Sequence, residues 1–209
     1  MVRADVLGSV VVLPDEAPEI ANRPGEKPVA RRLIRQDPTE RGSLRISDVS
    51  SSAEWLRASV RRLEELRPRG KGLPQGHPGD WLLEISVEGD PLFGERLESV
   101  WMSTGLERQP VLTLPVKTLL RPPVNLSTTK LLLTDQAVGA VVLLSVREGL
   151  DPNALRATAE PEELEIELLQ AGGRMYRVHV HWSGTTRGDG SILFTVGDEQ
   201  LRLPVQRTD

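Results

Sequence analysis

Hydrophobic and polar residues alternate along much of this chain, which is the period-two pattern of half-buried β-strands. The alternation is clearest from Leu164 to Leu168, where glutamates fill the intervening positions, and from Met175 to Trp182. In the second stretch, Val178, Val180 and Trp182 are expected to be buried. Strands are predicted over residues 6–13, 29–35, 43–49, 81–87, 97–102, 111–116, 138–146, 164–168, 175–182, 192–196 and 200–205.

The stretch from Trp55 to Leu66 fits two structures. Its apolar residues stand near helical spacing and Ser52 could cap a helix. Alternatively, Leu56–Ser59 resembles Leu155–Thr158, which leads into an alternating strand. We favour the extended structure, and the helix stays open.

The second half of the chain weakly repeats the first. The closing signal Val111-Leu-Thr-Leu-Pro-Val116 recurs as Gln200-Leu-Arg-Leu-Pro-Val205, and each copy follows two strand-like runs with a glycine, Gly94 or Gly190, before the second run. We therefore predict two similar β-domains, residues 1–120 with long loops and residues 121–209. Consecutive prolines in Arg121-Pro-Pro123 favour an extended joint between them.

Several segments are predicted as connections. Pro14–Pro28 is rich in Pro and Glu, so we expect it to form no core and to serve as an extra contact element. Residues 67–80 form a Gly/Pro loop, Gly172-Gly173 closes a hairpin, and Arg187–Gly190 is predicted as a turn.

Composition narrows the class of protein. The 209 residues suit two domains of about 100 residues each. Aromatic residues are only 3%, so the cores must consist mainly of Leu and Val, and the absence of cysteine removes disulfides, thiol catalysis and thiolate metal sites. No stretch reaches the roughly 20 apolar residues that a spanning helix needs. The run 6–13 contains Gly8 and Ser9 and is predicted as a strand rather than a signal peptide.

The pattern resembles tandem bacterial immunoglobulin-like domains of the ASH/MSP-like type. In the first copy the resemblance rests on Ser43–Val49, Trp55–Ser59, Gly94 and Leu114–Val116, and in the second on Val141–Val146, Leu155–Thr158, Gly190 and Leu203–Val205. It implies a seven-stranded β-sandwich in each domain and a non-catalytic binding or scaffolding role. The predicted fold class is thus all-β, with two tandem immunoglobulin-like β-sandwiches.

Histidines offer the one candidate for metal chemistry. His179 and His181 project from one face of a predicted strand, a spacing that could hold Zn²⁺ or Cu²⁺. The alternation places them on the solvated face, so we interpret them as surface residues. For His77 and Asp80, in the Gly/Pro loop, a metal site is likewise not expected. A small metalloenzyme would require the histidines to converge with a carboxylate.

Other catalytic patterns are weak. Ser183 and Ser191 stand in predicted turns without a nucleophile elbow, and the spacing around Gly70-Lys-Gly72 does not match a phosphate-binding loop. Glu162–Glu167 is interpreted as a solvated face or edge that opposes aggregation. We therefore assign no catalytic, cofactor-binding or metal-binding residue, no cofactor, and no enzymatic activity.

Charge is unevenly distributed along the chain. Residues 23–71 carry 13 Lys/Arg against 7 Asp/Glu, whereas residues 80–107 carry 1 against 7. The basic stretch could meet an acidic protein, a phosphorylated surface or nucleic acid. We favour mutual neutralisation of neighbouring strands, and stacking aromatics for single-stranded nucleic acid are absent there except Trp55.

These observations predict a non-enzymatic protein-interaction or scaffolding subunit of a bacterial envelope or multi-subunit complex. Its expected partners are other protein subunits, with no nucleic acid and with membrane association only through partners. The expected location is periplasmic or extracytoplasmic. The alternative is a carbohydrate- or polymer-binding accessory module, which would need an aromatic platform built from Trp55, Trp81, Trp101 or Trp182.

Overall fold

The structure, a computed structural model, describes residues 9–23, 27–70, 72–184 and 187–208. The chain forms two units, Met1–Arg121 and Pro122–Asp209. The described part of the first unit contains the strands β1 Val10–Leu13, β2 Glu19–Ala21, β3 Val29–Gln36, β4 Ser47–Ser51, β5 Leu56–Arg62, β6 Trp81–Val87, β7 Gly94–Ser103 and β8 Val111–Leu120. The described part of the second contains β9 Val124–Leu126, β10 Leu131–Leu133, β11 Gly139–Val146, a 3-10 turn Pro152–Ala154, β12 Leu155–Glu160, β13 Leu164–Gly172, β14 Met175–Trp182, β15 Gly188–Val196 and β16 Glu199–Arg207. Among the described residues, no helix is long and apolar enough to cross a membrane.

Each unit is a sandwich of two four-stranded sheets. The sheets have the orders β1-β3-β6-β5 and β2-β8-β7-β4 in the first unit, and β9-β11-β14-β13 and β10-β16-β15-β12 in the second. In each unit, the inward side chains of both sheets form one hydrophobic core. Leaving out β2 and β10, this strand order is that of immunoglobulin constant-type sandwiches. The all-β, immunoglobulin-like fold class is therefore confirmed.

The prediction of seven strands per sandwich is wrong, because the first strand of each unit is divided between the two sheets. β1 pairs antiparallel with β3, and the chain then crosses over so that β2 pairs parallel with β8. The second unit repeats this arrangement, with β9 against β11 and β10 against β16. Strands of three residues are too short to show a hydrophobic period, so β2, β9 and β10 left no signal in the sequence.

The prediction that Pro14–Pro28 is a connection outside the core is also wrong. The segment contains β2, whose Ile20 is only 1% exposed within the first core. The main-chain N–H of Lys117 donates to Pro18, and the amide side chain of Asn22 bonds both main-chain groups of Arg121. This segment is an integral strand of the sandwich, although residues 24–26 lie outside the described residues.

The stretch from Trp55 to Leu66 contains strand β5, so the extended prediction is confirmed and the helix is wrong. The resemblance that favoured it does not reflect structural equivalence. β5 stands at the edge of its sheet beside β6, which is the position of β13, whereas Leu155–Thr158 lies in β12, which is equivalent to β4. In this part of the chain, the similar sequences therefore belong to strands that are not equivalent in the two units.

Other boundaries need smaller corrections. Of the predicted strand 43–49, only the part from Ser47 onward is a strand, and Asp48 interrupts it with a φ of 50° at a bulge. The predicted turn 187–190 is wrong from Gly188 onward, because Gly188 pairs with Arg207 as the first residue of β15. Of the predicted first strand 6–13, residues 6–8 lie outside the described residues.

The predicted faces of β14 are confirmed. Val178, Val180 and Trp182 are buried in the second core, while His179 and His181 are exposed. The hairpin predicted at Gly172-Gly173 is also present, and it joins β13 to β14.

Candidate interaction surface

The outer face of the sheet β2-β8-β7-β4 carries an uncovered group of large apolar residues. Leu97 and Trp101 project outward from β7 and are 74% and 38% exposed, and Val111 on β8 is 53% exposed. Pro115 pairs with Ser99 at the centre of the β7–β8 ladder, and its side chain is exposed on the same face. We call the surface formed by Leu97, Trp101, Val111 and Pro115 the Trp101 face.

A single ion pair lies beside this surface among the contacts of the described residues of β7 and β8. Lys117 pairs across the ladder with Leu97, and its ammonium lies 3.1 Å from the carboxylate of Glu95. The hydrogen bond that Lys117 donates to Glu95, together with the negative charge of Glu95, raises the pKa of Lys117. Each apolar residue of the face has a polar partner directly across the ladder, so the apolar side chains lie along a diagonal of the face, with this ion pair at one end.

The second unit shows that the sandwich does not require an apolar outer face here. Pro204 pairs with Ser191 as Pro115 pairs with Ser99, which aligns the two ladders. The positions equivalent to Leu97 and Val111 are then Asp189 and Gln200, and Leu193, half-buried, replaces Trp101. The same fold is stable with polar groups at two of these positions, so the apolar residues of the first unit need another explanation.

The opposite sheet of the second unit has an uncovered apolar group of its own. Val141, Leu143, Leu169 and Met175 are 54%, 48%, 41% and 45% exposed around the long side chain of Arg177. We call this the Arg177 face. It continues into two rows in which His179 stands opposite Glu167 and His181 opposite Glu165.

The equivalent face of the first unit is covered by the chain itself. The connection between β5 and β6 folds back over the sheet, so that Leu63 and Leu73 pack on Leu33 and Leu82, all at most 5% exposed. In the second unit, a tight turn after Gly172 replaces this long connection and leaves the Arg177 face bare.

The candidate metal ligands do not converge. Each histidine of β14 faces one glutamate, and no group of three His, Cys, Asp or Glu able to hold a metal occurs in the described ranges. Ser183, which was considered as a nucleophile, donates its hydroxyl to the main-chain oxygen of Glu163, and the Ser191 hydroxyl accepts from Arg202. In these hydrogen bonds, neither serine hydroxyl is paired with a general base.

His77 and Asp80 do come together, but around an arginine. Asp80 is 4% exposed and accepts hydrogen bonds from Arg35 at 2.9 and 2.6 Å and from the main-chain N–H of His77 at 2.8 Å. Burial opposes the charge of Asp80, but these hydrogen bonds and the positive charge of Arg35 outweigh it and hold the pKa of the carboxyl below its ordinary value. The cluster anchors the loop 63–80 to the sheet.

The turn at Gly70 has main-chain groups that are engaged within the protein. The amides of Gly70 and Leu73 each donate to the other's carbonyl oxygen, at 3.2 and 3.0 Å, and Lys71 lies outside the described residues. An open pocket of about 480 Å³ adjoins this turn, with Asp15 and Arg69 as its charged lining residues.

Ion pairs between strands and their adjoining loops account for part of the uneven charge distribution. Arg31 contacts Glu84 at 2.6 Å across β3 and β6, and Arg35 contacts Asp80. Arg57 lies 3.6 Å from Glu88. Each pair joins the basic stretch 23–71 to the acidic stretch 80–107, so neighbouring segments neutralise each other at these three arginines.

No family model matches the chain, and no curated protein matches its sequence. Among solved structures, domains 5–6 of the S-layer protein SbsC match 98% of this chain and 99% of that chain at 13% identity and a TM-score of 0.32. The titin domains Z1Z2 in complex with telethonin match 96% of this chain and 95% of that one at 10% identity and a TM-score of 0.28. InvD of Yersinia pseudotuberculosis matches 96% of this chain and 57% of its own at 10% identity and a TM-score of 0.29. Likeness at this level says nothing about what the chain binds.

Part of the Trp101 face follows from the sequence, because the alternation of β8 puts Val111 and Pro115 on the outer side of the strand. The outward position of Trp101 follows from the pairing of Ser99 with Pro115, which the sequence does not show. Trp55 and Trp182, in contrast, are core residues, at 8% and 2% exposed.

Proposed function

We propose that this chain is a non-enzymatic protein-interaction or scaffolding subunit whose partner protein binds the Trp101 face. The observation that carries the proposal is the apolar group Leu97, Trp101, Val111 and Pro115 on an outer sheet face, where the second unit has polar residues at two of the four positions. Exposed apolar patches with a polar rim are typical of protein-binding surfaces, and tryptophan is enriched among the residues that dominate binding.

The proposal extends to the setting of the protein. The partners are other protein subunits of a bacterial envelope or multi-subunit complex in the periplasm or another extracytoplasmic compartment, and a membrane is reached only through them. The two units act as separate domains, with a boundary near residues 120–121, of the ASH/MSP-like type. No residue has a catalytic, cofactor-binding or metal-binding role, and nucleic acid is not a ligand.

The alternative is a carbohydrate- or polymer-binding module. One observation favours it: Trp101 presents its ring on a sheet face, where a sugar could stack. Of the four tryptophans, however, Trp55 and Trp182 are buried and Trp81 is half-buried, so Trp101 alone is exposed. A flat platform of several rings is not formed, and we therefore rank protein binding first.

The test immobilises three forms of the full chain on a support and incubates each with native extract. The forms are wild type, Leu97→Ser/Trp101→Ser, and the matched control Val141→Ser/Leu143→Ser on the Arg177 face. We expect a protein that wild type and control retain and the first variant loses. With that protein purified, Trp101→Ala should weaken binding about 30-fold, the effect of losing roughly 2 kcal/mol at a dominant contact.

Three results would contradict the proposal. If all three forms retain the same proteins, the Trp101 face is not the binding surface. If polysaccharides are retained instead, and Trp101→Ala abolishes their retention, the carbohydrate alternative is correct. A hydrolase activity that persists through purification would refute the non-enzymatic assignment.

A further inference from the structure

Two edge strands at equivalent positions in the two units carry opposite charge. β5 ends the sheet β1-β3-β6-β5, and β13 ends the sheet β9-β11-β14-β13. The outward side chains of β5 include Arg57 and Arg61, whereas those of β13 include Glu165 and Glu167, and all four are exposed. We propose that β5 of one chain pairs antiparallel with β13 of a second copy, so that the protein assembles head to tail.

The main chain of β5 is oriented for such pairing. In an antiparallel ladder, the residues that bond to the neighbouring strand alternate with residues whose N–H and C=O point the other way. The N–H of Glu88 donates to Trp55 and the N–H of Leu63 donates to Asp80, at 2.9 and 2.7 Å, which assigns the odd-numbered residues of β5 to the β6 side. The main-chain groups of Ala58 and Val60 therefore point away from the sheet.

The same reasoning applies to β13. The N–H of Ser183 donates to Glu163 at 2.8 Å, so the odd-numbered residues bond to β14 and the main-chain groups of Ile166 and Leu168 point outward. On both edges, the outward main chain belongs to residues whose side chains face the core. Antiparallel pairing of even with even residues keeps core faces together and sets arginines beside glutamates. Parallel pairing would set a core face against an outer face.

The edges are also incompletely buried. Inward side chains on the adjacent central strands, Leu83 and Val178 among them, are 0% exposed. In contrast, Val60 on β5 and Ile166 and Leu168 on β13 are only half-buried, although they pack against the cores. A strand added at either edge would cover more of these apolar side chains, and their burial favours the contact.

Charge selects the partner edge. Two β5 strands would oppose Arg57 to Arg61, and two β13 strands would oppose Glu165 to Glu167, which is unfavourable at close cross-strand distance. Pairing β5 with β13 can occur in two registers. In one, Arg57 lies directly opposite Glu167 and Arg61 lies diagonal to Glu165. In the other, Arg61 lies directly opposite Glu165 and Arg57 lies diagonal to Glu167. The existing contact of Arg57 with Glu88, at 3.6 Å, joins two largely exposed side chains and is weak enough to exchange. Because the two edges differ, the contact forms open chains or rings.

The test is sedimentation velocity of the full chain at low and high ionic strength over a range of concentrations. At low salt, the mass should rise with concentration from the 23.1 kDa of one chain to twice that value and beyond, and salt should reverse the rise. Arg57→Glu/Arg61→Glu and Glu165→Arg/Glu167→Arg should each stay monomeric. Mixed in equal amounts they should associate again, because each supplies the edge that the other needs.

Two controls make the outcome specific. Arg41→Glu/Arg45→Glu has the charge of the first variant but alters exposed residues between β3 and β4, so it should associate like wild type. The chain has no cysteine, so a Ser59→Cys chain should oxidise mainly to the mixed dimer with either a Glu165→Cys or a Glu167→Cys chain, these being the residues opposite Ser59 in the two registers. A monomeric wild type at low salt, a mixture that fails to associate, or equal yields of mixed and like dimers would overturn the proposal. The contact does not involve the Trp101 face, so neither test decides the other.

Discussion

We expect the buried side chain of Trp182 to contribute strongly to the free energy of unfolding of the second unit, and its replacement by alanine tests this. The side chain is 2% exposed at the end of β14 and belongs to the core of that unit. A buried tryptophan removes about 150–250 Å² from water, which at about 25 cal/mol per Å² corresponds to about 4–6 kcal/mol. Among the described residues its indole N–H has no hydrogen-bond acceptor, so deleting the ring also removes an unpaired polar group. We therefore expect Trp182→Ala to cost about 3–5 kcal/mol, the usual range for such changes.

The assay is calorimetric unfolding of the full chain, with His179→Ala as the control on the same strand. His179 is exposed, so its removal should change stability by less than about 0.5 kcal/mol. In a unit of this size, each kcal/mol shifts the melting temperature by about 4–8 °C, so Trp182→Ala should lower one transition by at least about 12 °C. Equal shifts for the two variants would mean that the faces of β14 are assigned wrongly.

Three further predictions follow from particular contacts. Gly190→Ala should cost about 1–3 kcal/mol, because a Cβ there would lie 2.8 Å from the main-chain oxygen of Glu160, whereas Gly188→Ala, with nothing within 4 Å, should be nearly neutral in urea unfolding. Since the pKa of Asp80 is lowered in the folded state, its charge stabilises the first unit above the unfolded value near 3.8. The advantage of wild type over Asp80→Asn in melting temperature should therefore disappear as the pH falls below 4. Residues 122–209 expressed alone should give a cooperative β-rich unfolding transition; a molten or aggregated product would contradict two separate domains.

Alternation predicted most of the longer strands, although the six-residue β12 was not among them and the seven-residue β5 was left open between strand and helix. β14 is the best case, because its eight residues alternate without interruption and its buried and exposed faces follow directly. The division of the first strand could not be predicted, since β2 and β10 span three residues each and take their direction from β8 and β16, far along the chain. Pairing partners of this kind are set by tertiary packing rather than by local pattern.

The repeat predicted the closing strands but misled elsewhere. The two Leu-Pro-Val signals are equivalent, because Pro115 and Pro204 each pair with a serine on the preceding strand. The two glycines are not equivalent. Gly94 has a φ of +111° and an open surrounding, whereas Gly190 lies against a main-chain oxygen and the ring of Trp182. One residue type thus meets two different physical requirements, backbone conformation and close approach, which a sequence alone does not distinguish.

Comparing the two units shows which apolar positions the sandwich fold requires and which it does not. Inward positions are apolar in both units, as any sandwich core requires. Outer positions differ. Leu33 and Leu82 are apolar because the loop 63–80 covers them, while Leu97 and Trp101 are apolar although they remain 74% and 38% exposed. Exposed apolar residues cost solubility and add nothing to the core, and the second unit shows polar groups at two of the equivalent positions. Their presence is therefore best explained by a partner that covers them, and for this reason the Trp101 face, rather than any titratable cluster, is the first surface to test.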